Sequence, residues 1–293
     1  MLPKHLRWTH ADEPASGEIH SPVRDLTSAE IGVVYQPIVD AYSGELFAYE
    51  VLVRCSLPSL QPPPVLFQRA VQEQACGRLG RLIREQAVAS HLEAPLFLNI
   101  HPNELTERWL VRPDDPIGSC AQPVFLEITE TAAFQQHDLC DSVLREVCTR
   151  TGAQLVIDDF GAGHSNLNRL LELDPAIVKL DLALVRDIQE SVKKRAVVRS
   201  MSALCHELGA QVVAEGIETD LELACVRDLG VDYVQGYLLA RPANPAPAVS
   251  WPNAVRRSPA PGSSPTERAA GKAKSAGGAQ PKRPVPPPVR RSR

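Results

Sequence analysis

The sequence lacks any run of about 18 uncharged apolar residues, the length that a membrane-spanning helix requires. Its seven cysteines are an odd number and include no Cys-x-x-Cys pair, which argues against a disulfide framework and a zinc ribbon. The first 20 residues also lack the apolar run of a secretion signal. These absences predict a cytoplasmic protein with reduced cysteines and no transmembrane segment.

Charge and proline are distributed unevenly along the chain. Residues 243–293 hold ten Lys and Arg against one acidic residue, a net charge of +9, together with 11 of the 26 prolines. Residues 1–242 carry a net charge of −13. A segment with so few large apolar side chains cannot bury enough surface to fold. We therefore predict a short N-terminal extension (1–29), one globular domain (30–242) and a disordered basic, Pro-rich tail (243–293).

Short β-branched runs alternate with helical patterns through the predicted domain. Helical spacing covers residues 138–150 and 191–208, and Gly152 and Gly209 follow where a left-handed residue ends a helix. Strands alternating with helices indicate an α/β fold with a mostly parallel sheet. Only DAYSGE separates the first two runs, so we expect them to form an antiparallel hairpin.

Polar residues at the ends of the strands distinguish a closed barrel from an open doubly wound sheet. After the first, the predicted strands end in or run into a group that binds metal or phosphate: Glu50, Arg54, Asn99, Glu127, Asp158, Asp159, Lys179, Asp181, Glu215 and Gln235. Barrels assemble their active sites from the C-terminal ends of many strands, whereas an open sheet concentrates polar groups at one crevice. The distribution favours a β/α barrel.

These residue types favour a metal-binding site. Asp158 and Asp159 repel each other at a buried strand end, and a divalent cation relieves that repulsion. The alternative is an acidic pair that faces solvent or caps the next helix. With Glu50, Asn99 and Glu127 the pair forms an all-oxygen set suited to Mg²⁺ or Mn²⁺ rather than zinc. One bridging carboxylate would allow two ions, the arrangement that attacks phosphodiesters.

Lys179 lies in the apolar run AIVKLD, where an ammonium group needs a partner. It forms either a structural ion pair with Asp181 or Asp158, or a cation that holds the attacking water beside the metals. Glu215 and Glu218 have two interpretations of similar weight, the start of a helix or part of the site.

Eight motifs in order resemble the EAL-domain cyclic di-GMP phosphodiesterase family over residues 30–242: YQPIVD (35–40), YEVLVR (49–54), FLNIHP (97–102), LEITE (126–130), DDFGAGHSNL (158–167), VKLD (178–181), VAEGIET (213–219) and VQGYLLARP (234–242). The resemblance implies a modified TIM (β/α)8 barrel with an antiparallel first strand. It also implies metal-dependent hydrolysis of cyclic di-GMP to linear 5′-pGpG, which lowers the level of this second messenger in bacterial signalling.

The resemblance implies a role for each matching residue. Two Mg²⁺ or Mn²⁺ ions would be held by Glu50, Asn99, Glu127, Asp158 and Asp159, with Ca²⁺ inhibitory. Glu50, Lys179 and Glu215 are the implied catalytic residues, Lys179 at the nucleophilic water and Glu215 as a general base or metal-linked group. The implied substrate contacts are Gln36, Leu52, Arg54, Asp181, Glu218 and Gln235. A loop that couples homodimer formation to the site would contain Glu130, Gly161, Gly163 and His164.

Three departures from the family pattern bear on activity. The signature reads Glu-Val-Leu instead of Glu-Ala-Leu, so Val51 adds bulk beside Glu50 without removing a ligand, and we expect a tuned site. His164 stands where Tyr is usual, which affects the expected dimer coupling. His101 replaces the usual Ser, and we expect it to pack or hydrogen-bond near the site.

The sequence leaves two alternatives to a phosphodiesterase open. The first is a non-catalytic cyclic di-GMP receptor or protein-interaction module on the same fold, and the second is a barrel hydrolase or lyase for another phosphate or carboxylate substrate. The tail is expected to act in solubility or tethering. An acidic or Pro-binding partner, an anionic membrane, nucleic acid and the acidic domain itself are alternatives.

Overall fold

The computed structural model describes residues 22–107, 109–129, 137–161 and 167–252, and these form a closed barrel of eight strands. The strands are β1 (Ile31–Asp40), β2 (Leu46–Cys55), β3 (Leu96–Asn99), β4 (Val124–Thr129), β5 (Gln154–Phe160), β6 (Ile177–Leu180), β7 (Gln211–Ala214) and β8 (Tyr233–Val234). Strand β1 pairs antiparallel with both β2 and β8, and all other neighbours pair in parallel. The predicted barrel with an antiparallel first strand is confirmed.

The helices surround the barrel and connect its strands. They are α1 (Pro63–Gln72), α2 (Cys76–Val88), α3 (His137–Thr151), α4 (Leu167–Leu173), α5 (Leu182–Val185), α6 (Val192–Glu207) and α7 (Asp220–Asp228). Short 3-10 segments cover Val23–Asp25, Pro58–Leu60, Pro102–Thr106, Pro116–Ser119 and Ile188–Glu190. As predicted, Gly152 and Gly209 follow α3 and α6 with positive φ angles of 76° and 84°. In the described part of the chain, no helix is long and apolar enough to cross a membrane.

The interior of the barrel is filled in two layers because alternate residues of a strand point inward. One layer is apolar and contains Ile38, Ala48, Phe97, Phe125, Val156, Ile177 and Val213, with Phe47 and Tyr233 packed against it. Two residues further along β2 to β8, the next inward position is polar: Glu50, Asn99, Glu127, Asp158, Lys179, Glu215 and Gln235. Because β2 to β8 run parallel, these polar side chains all lie at one end of the barrel.

Aromatic stacking makes the apolar layer dense. The rings of Phe47 and Tyr233 stack with centroids 4.0 Å apart, and those of Phe97 and Phe125 stack at 4.5 Å. Such pairs favour offset stacking and add to the free energy gained by burial. This layer therefore fills the interior of the barrel next to its polar end.

The segment 243–252, which the sequence analysis assigned to the tail, packs on the barrel. The backbone N–H of Tyr35 donates to the Ala243 carbonyl at 2.9 Å, and the Tyr49 hydroxyl donates to the Pro247 carbonyl at 3.2 Å. The indole of Trp251 lies so close to Gly44 that a Cβ there would overlap it. Ala246, Val249 and Trp251 are partly buried by this packing, so residues 243–252 contact the barrel beyond the end of the predicted domain. Residues 253–293 and the first 21 residues lie outside the described chain.

A buried ion-pair triad joins α2 to the segments that follow β3. Arg84 is 1% exposed, and its Nη1 and Nη2 lie 2.7 Å from Glu104 Oε2 and 2.9 Å from Asp115 Oδ2. The second oxygen of Glu104 accepts the backbone N–H of His101 at 3.1 Å. The triad thereby fixes the chain just after Asn99, a residue at the polar end of the barrel. No feature of the sequence predicted it.

We predict that Arg84→Met lowers the free energy of unfolding by about 3–5 kcal/mol, because it leaves two buried carboxylates without a partner. Urea denaturation followed by circular dichroism measures this loss. The matched control is Arg112→Met, which removes a solvent-exposed pair to Asp114 at 2.9 Å. Such exposed pairs contribute at most about 1 kcal/mol. Equal unfolding midpoints for the two variants would contradict the prediction.

Candidate active site

The ammonium group of Lys179 is the centre of the polar end of the barrel. Its Nζ lies 2.6 Å from Glu215 Oε1, 2.7 Å from Glu127 Oε1, 3.3 Å from Asp158 Oδ1 and 3.6 Å from Glu50 Oε2. Lys179 itself is 0% exposed. These four carboxylates come from β2, β4, β5 and the position just after β7, so barrel closure brings together residues that are up to 165 positions apart in the sequence. The predicted site residues on β2 and β4 to β7 do meet.

Burial and charge perturb the pKa values of Lys179 and of the acidic groups on β4, on β5 and just after β7. Burial alone would lower the pKa of Lys179, but the surrounding carboxylates raise it well above its ordinary value. Burial raises the pKa values of Glu127 and Glu215 well above the usual range, and it also raises that of Asp158. Burial, followed by the charge of Asp158, raises the pKa of Asp159 to about 7. One lysine therefore cannot hold all of these acids in the ionised form.

Asp158 and Asp159 both reach the site although neighbouring strand residues normally point in opposite directions. Asp159 has a left-handed φ of 56°, and the pairing of β5 with β6 shifts between Ile157 and Phe160. Aspartate adopts this conformation more readily than most residues. As a result, ligand atoms of Asp158, Asp159 and Glu215 all lie within 4.8 Å of one another. This irregularity could not be predicted from the sequence.

The residues at this end of the barrel fit a divalent cation. Asp158, Asp159 and Glu215 supply clustered carboxylate oxygens, and the site carries more acidic than basic groups. Mg²⁺, Mn²⁺ and Ca²⁺ prefer such hard oxygen ligands. The cluster places Glu215 beside the aspartate pair, which favours the metal-linked interpretation of this residue over the start of a helix.

Glu50 is held by amide groups on both of its oxygens. Asn99 Nδ2 donates to Oε1 at 3.2 Å, and Gln235 Nε2 donates to Oε2 at 2.6 Å. Gln235 also donates to Gln36 Oε1 at 3.2 Å. The structure therefore brings Asn99, Gln36 and Gln235 to the carboxylate of Glu50, and it places both glutamines beside a residue predicted to bind metal.

The other predicted substrate contacts lie around this cluster with partners of their own. Asp181 Oδ1 accepts the backbone N–H of Ala183 at 2.7 Å and caps α5, so Asp181 does not form the ion pair with Lys179 that the sequence allowed. Glu218 is held by two hydrogen bonds from Arg186, at 2.6 and 2.7 Å. Arg186 could not be predicted as a site residue, because nothing in the run LVRD indicates a partner 32 residues away.

Arg54 and Leu52 follow Glu50 on β2. Arg54 is an exposed residue near the end of the strand, and its Nη1 donates to the Val53 carbonyl at 2.8 Å. Leu52 is half-buried. Both residues thus lie at the rim of the site, and their contact with substrate remains a prediction.

The structure describes two of the three departures from the family pattern, Val51 and His101. Val51 is 3% exposed and packs in the core outside the barrel, so its extra bulk meets this core and not the site interior. The ring of His101 stacks on Phe67 with centroids 5.5 Å apart, and its Nδ1 accepts the backbone N–H of Asn103 at 3.1 Å. Burial lowers the pKa of His101 to about 4. His101 therefore packs and caps, as expected.

The loop predicted to couple dimer formation to the site is described only at Gly161. Its φ is 98°, and a Cβ there would overlap the side chain of Leu184. This position therefore requires glycine. Glu130, Gly163 and His164 lie outside the described residues, so their coupling role and the homodimer remain predictions.

The fold and the site together define a TIM-barrel protein with a cluster of carboxylates at the C-terminal strand ends that fits a cation. The EAL domain family model matches residues 23–242. The chain belongs to the EAL domain family, as the motifs predicted.

Curated proteins and solved structures resemble this chain over most of its length. Cyclic di-GMP phosphodiesterase RocR of Pseudomonas aeruginosa is 33% identical over 255 residues, which cover 82% of this chain and 63% of RocR. A structure of BlrP1 from Klebsiella pneumoniae with manganese and cyclic di-GMP is 31% identical with a TM-score of 0.63, covering 73% of this chain and 56% of BlrP1. Its calcium and cyclic di-GMP complex also has a TM-score of 0.63 at 31% identity, covering 78% and 58%. The chain spans less than two thirds of the length of each.

We predict that Asp159→Asn stabilises the metal-free protein more at pH 8 than at pH 4. The pKa of Asp159 rises from an ordinary 3.8 to about 7 on folding. Between these values the unfolded chain has released the proton that the folded chain keeps, so this group lowers stability as pH rises. Asparagine carries no such charge and tolerates the left-handed φ. Thermal unfolding in a chelator measures the difference in Tm.

Asp174→Asn provides the control for this prediction. Asp174 also has a left-handed φ, of 49°, but it is exposed to solvent. The same chemical change there is expected to shift Tm equally at both pH values. If Asp159→Asn behaves like this control, the buried carboxylate does not have the environment that the structure gives it.

Proposed function

We propose that this protein is a metal-dependent phosphodiesterase that hydrolyses cyclic di-GMP to linear 5′-pGpG. The observation that carries the proposal is the cluster around Lys179, where four carboxylates approach one buried ammonium group within 3.6 Å. The EAL family, the phosphodiesterase name of RocR and the cyclic di-GMP in the BlrP1 structures support the choice of substrate. A receptor needs no such concentration of acidic groups around a buried lysine.

Two divalent ions, Mg²⁺ or Mn²⁺, are proposed as cofactors. Glu50, Asn99, Glu127, Asp158 and Asp159 would hold them, and Glu215 adds a further carboxylate to the aspartate pair. When bound, the ions polarise the phosphate and lower the pKa of the attacking water. Ca²⁺ is expected to bind the same oxygens without supporting turnover, because it accepts looser and larger coordination geometries.

Lys179 and Glu215 are proposed to handle the attacking water. The Lys179 ammonium stays protonated among its carboxylates, so it donates a hydrogen bond and positions the water oxygen. Glu215 lies 2.6 Å from that ammonium. Its raised pKa makes its carboxylate a stronger base, suited to accept the proton of the water.

The substrate is proposed to lie across the rim of the barrel. Leu52 and Arg54 on β2 and Asp181 and Glu218 beyond β6 and β7 would seat its guanine and phosphate groups, as the resemblance implies. The guanidinium of Arg54 supplies a positive charge at the rim. Arg186 holds the Glu218 carboxylate in one orientation through its two hydrogen bonds.

The direct test is incubation of the purified full-length protein with cyclic di-GMP and Mn²⁺ or Mg²⁺. We predict 5′-pGpG by chromatography, and its loss in Glu50→Ala, which removes a proposed metal ligand from β2, with circular dichroism to check that the variant folds. Glu45→Ala, in the exposed turn before β2, should retain full activity. Binding of cyclic di-GMP without any product under these conditions would identify a receptor and contradict the proposal.

We predict that Lys179→Met lowers kcat about 10²–10³-fold while the affinity for cyclic di-GMP changes little, since its ammonium acts mainly in the transition state. Methionine keeps much of the side-chain volume and removes the charge. Affinity is measured by calorimetry in Ca²⁺ and turnover in Mn²⁺. Lys193→Met, at an exposed position on α6, is the control. A loss of affinity as large as the loss of rate would make Lys179 a binding or structural residue.

A further inference from the structure

Gln36 and Gln235 form a chain of hydrogen bonds that ends on Glu50. Gln235 Nε2 donates to Glu50 Oε2 at 2.6 Å and to Gln36 Oε1 at 3.2 Å. Gln36 Nε2 in turn donates to the backbone carbonyl of Ala240 at 3.3 Å. Gln36 and Glu50 are direct neighbours across the β1–β2 pair, and Gln36, Glu50 and Gln235 are only 8%, 7% and 3% exposed.

The direction of each amide in this chain is determined by its partner. The carbonyl of Ala240 can only accept, so it requires the NH2 group of Gln36 and leaves the Gln36 oxygen facing Gln235. That oxygen and the Glu50 carboxylate are two acceptors, and they use both hydrogens of the Gln235 NH2 group. A reversed Gln235 amide would place three acceptor groups together without a hydrogen between them.

The oxygen of Gln235 has no part in setting this orientation. Gln235 Oε1 is buried and has no hydrogen-bond partner among the residues that the structure describes. The amide is therefore oriented by its NH2 group alone, through Gln36 on one side and Glu50 on the other. Because Asn99 donates to the remaining oxygen of Glu50 at 3.2 Å, the carboxylate is held from two directions.

We propose that Gln36 and Gln235 are positioning residues that orient Glu50 toward a divalent cation, with Gln36 acting through Gln235. The inference rests on the proposed function, in which Glu50 is a metal ligand, and it replaces the direct substrate contact implied for both glutamines. Groups that hydrogen-bond to a metal ligand fix its orientation, and their removal typically costs 10–100-fold in metal affinity. We call this chain of hydrogen bonds, from the Ala240 carbonyl through Gln36 and Gln235 to Glu50 Oε2, the relay.

Mn²⁺ binding to the full-length protein without nucleotide is the test, measured by titration calorimetry. We expect Gln235→Met to weaken Mn²⁺ binding about 10–100-fold. Gln36→Met should weaken it in the same direction by a smaller factor. Methionine matches glutamine in length and approximate volume, so each change removes the hydrogen bonds and keeps the packing.

The double variant separates a relay from two independent contacts. If Gln36 acts only through Gln235, then adding Gln36→Met to Gln235→Met costs no further Mn²⁺ affinity. Additive losses would overturn the relay. The matched control is Gln211→Met, whose Nε2 donates to the Tyr233 hydroxyl at 2.9 Å beside the apolar layer, and it should bind Mn²⁺ as the wild type does.

Thermal unfolding, cyclic di-GMP binding and pGpG formation separate a folding defect or a loss of substrate binding from a loss of metal binding. Metal-free thermal unfolding identifies a variant that fails to fold, and if Gln235→Met does so, the comparison of Gln36→Met with Gln211→Met decides. Unchanged Mn²⁺ affinity with weakened cyclic di-GMP binding in Ca²⁺ would return both glutamines to substrate binding and overturn the proposal. A wild type that binds no Mn²⁺ would overturn it as well. A wild type that binds Mn²⁺ but forms no pGpG refutes the proposed function while the Mn²⁺ titrations still decide the relay.

Discussion

The buried ammonium of Lys179 is the interaction on which the polar end of the barrel depends. Carboxylates from β2, β4, β5 and the end of β7 approach it within 3.6 Å, and without a positive charge these acids would repel one another in a medium of low polarity. One lysine compensates only part of that charge. Burial raises the pKa values of Glu127, Asp158 and Glu215, and the negative charge that Lys179 leaves uncompensated suits a divalent cation.

Because successive strand residues point in opposite directions, the site lies directly next to the apolar layer of the barrel interior. On β3, for example, Phe97 packs in the lower layer and Asn99 reaches the site two residues later, and β6 repeats the arrangement with Ile177 and Lys179. Stacked aromatic rings fill the barrel below the site, which lies toward the C-terminal ends of the parallel strands. Buried Arg84 adds support from outside, since it fixes Glu104 and through it the backbone after Asn99.

Much of the fold followed from the sequence because its signals are local. The spacing of apolar runs gave the strands, DAYSGE gave the β1–β2 hairpin, and the polar residue at each strand end distinguished a barrel from an open sheet. The packing of residues 243–252 on the barrel did not follow from the sequence, because the partial burial of Trp251 depends on a surface formed by Gly44 and its neighbours far away in the sequence. The apolar residues of this segment are too sparse to mark a folded element by themselves.

Short motifs and alternation along each strand were enough to predict the family, the order of the strands and the residue types that can bind a cation. How those residues meet depends on tertiary packing. It brought Asp159 beside Asp158 through a left-handed residue and a register shift, assigned Asp181 to a helix cap, and linked Gln36 to Glu50 through Gln235. These outcomes depend on contacts between strands distant in sequence, where closure of the barrel fixes distances and hydrogen-bond directions that no local pattern contains.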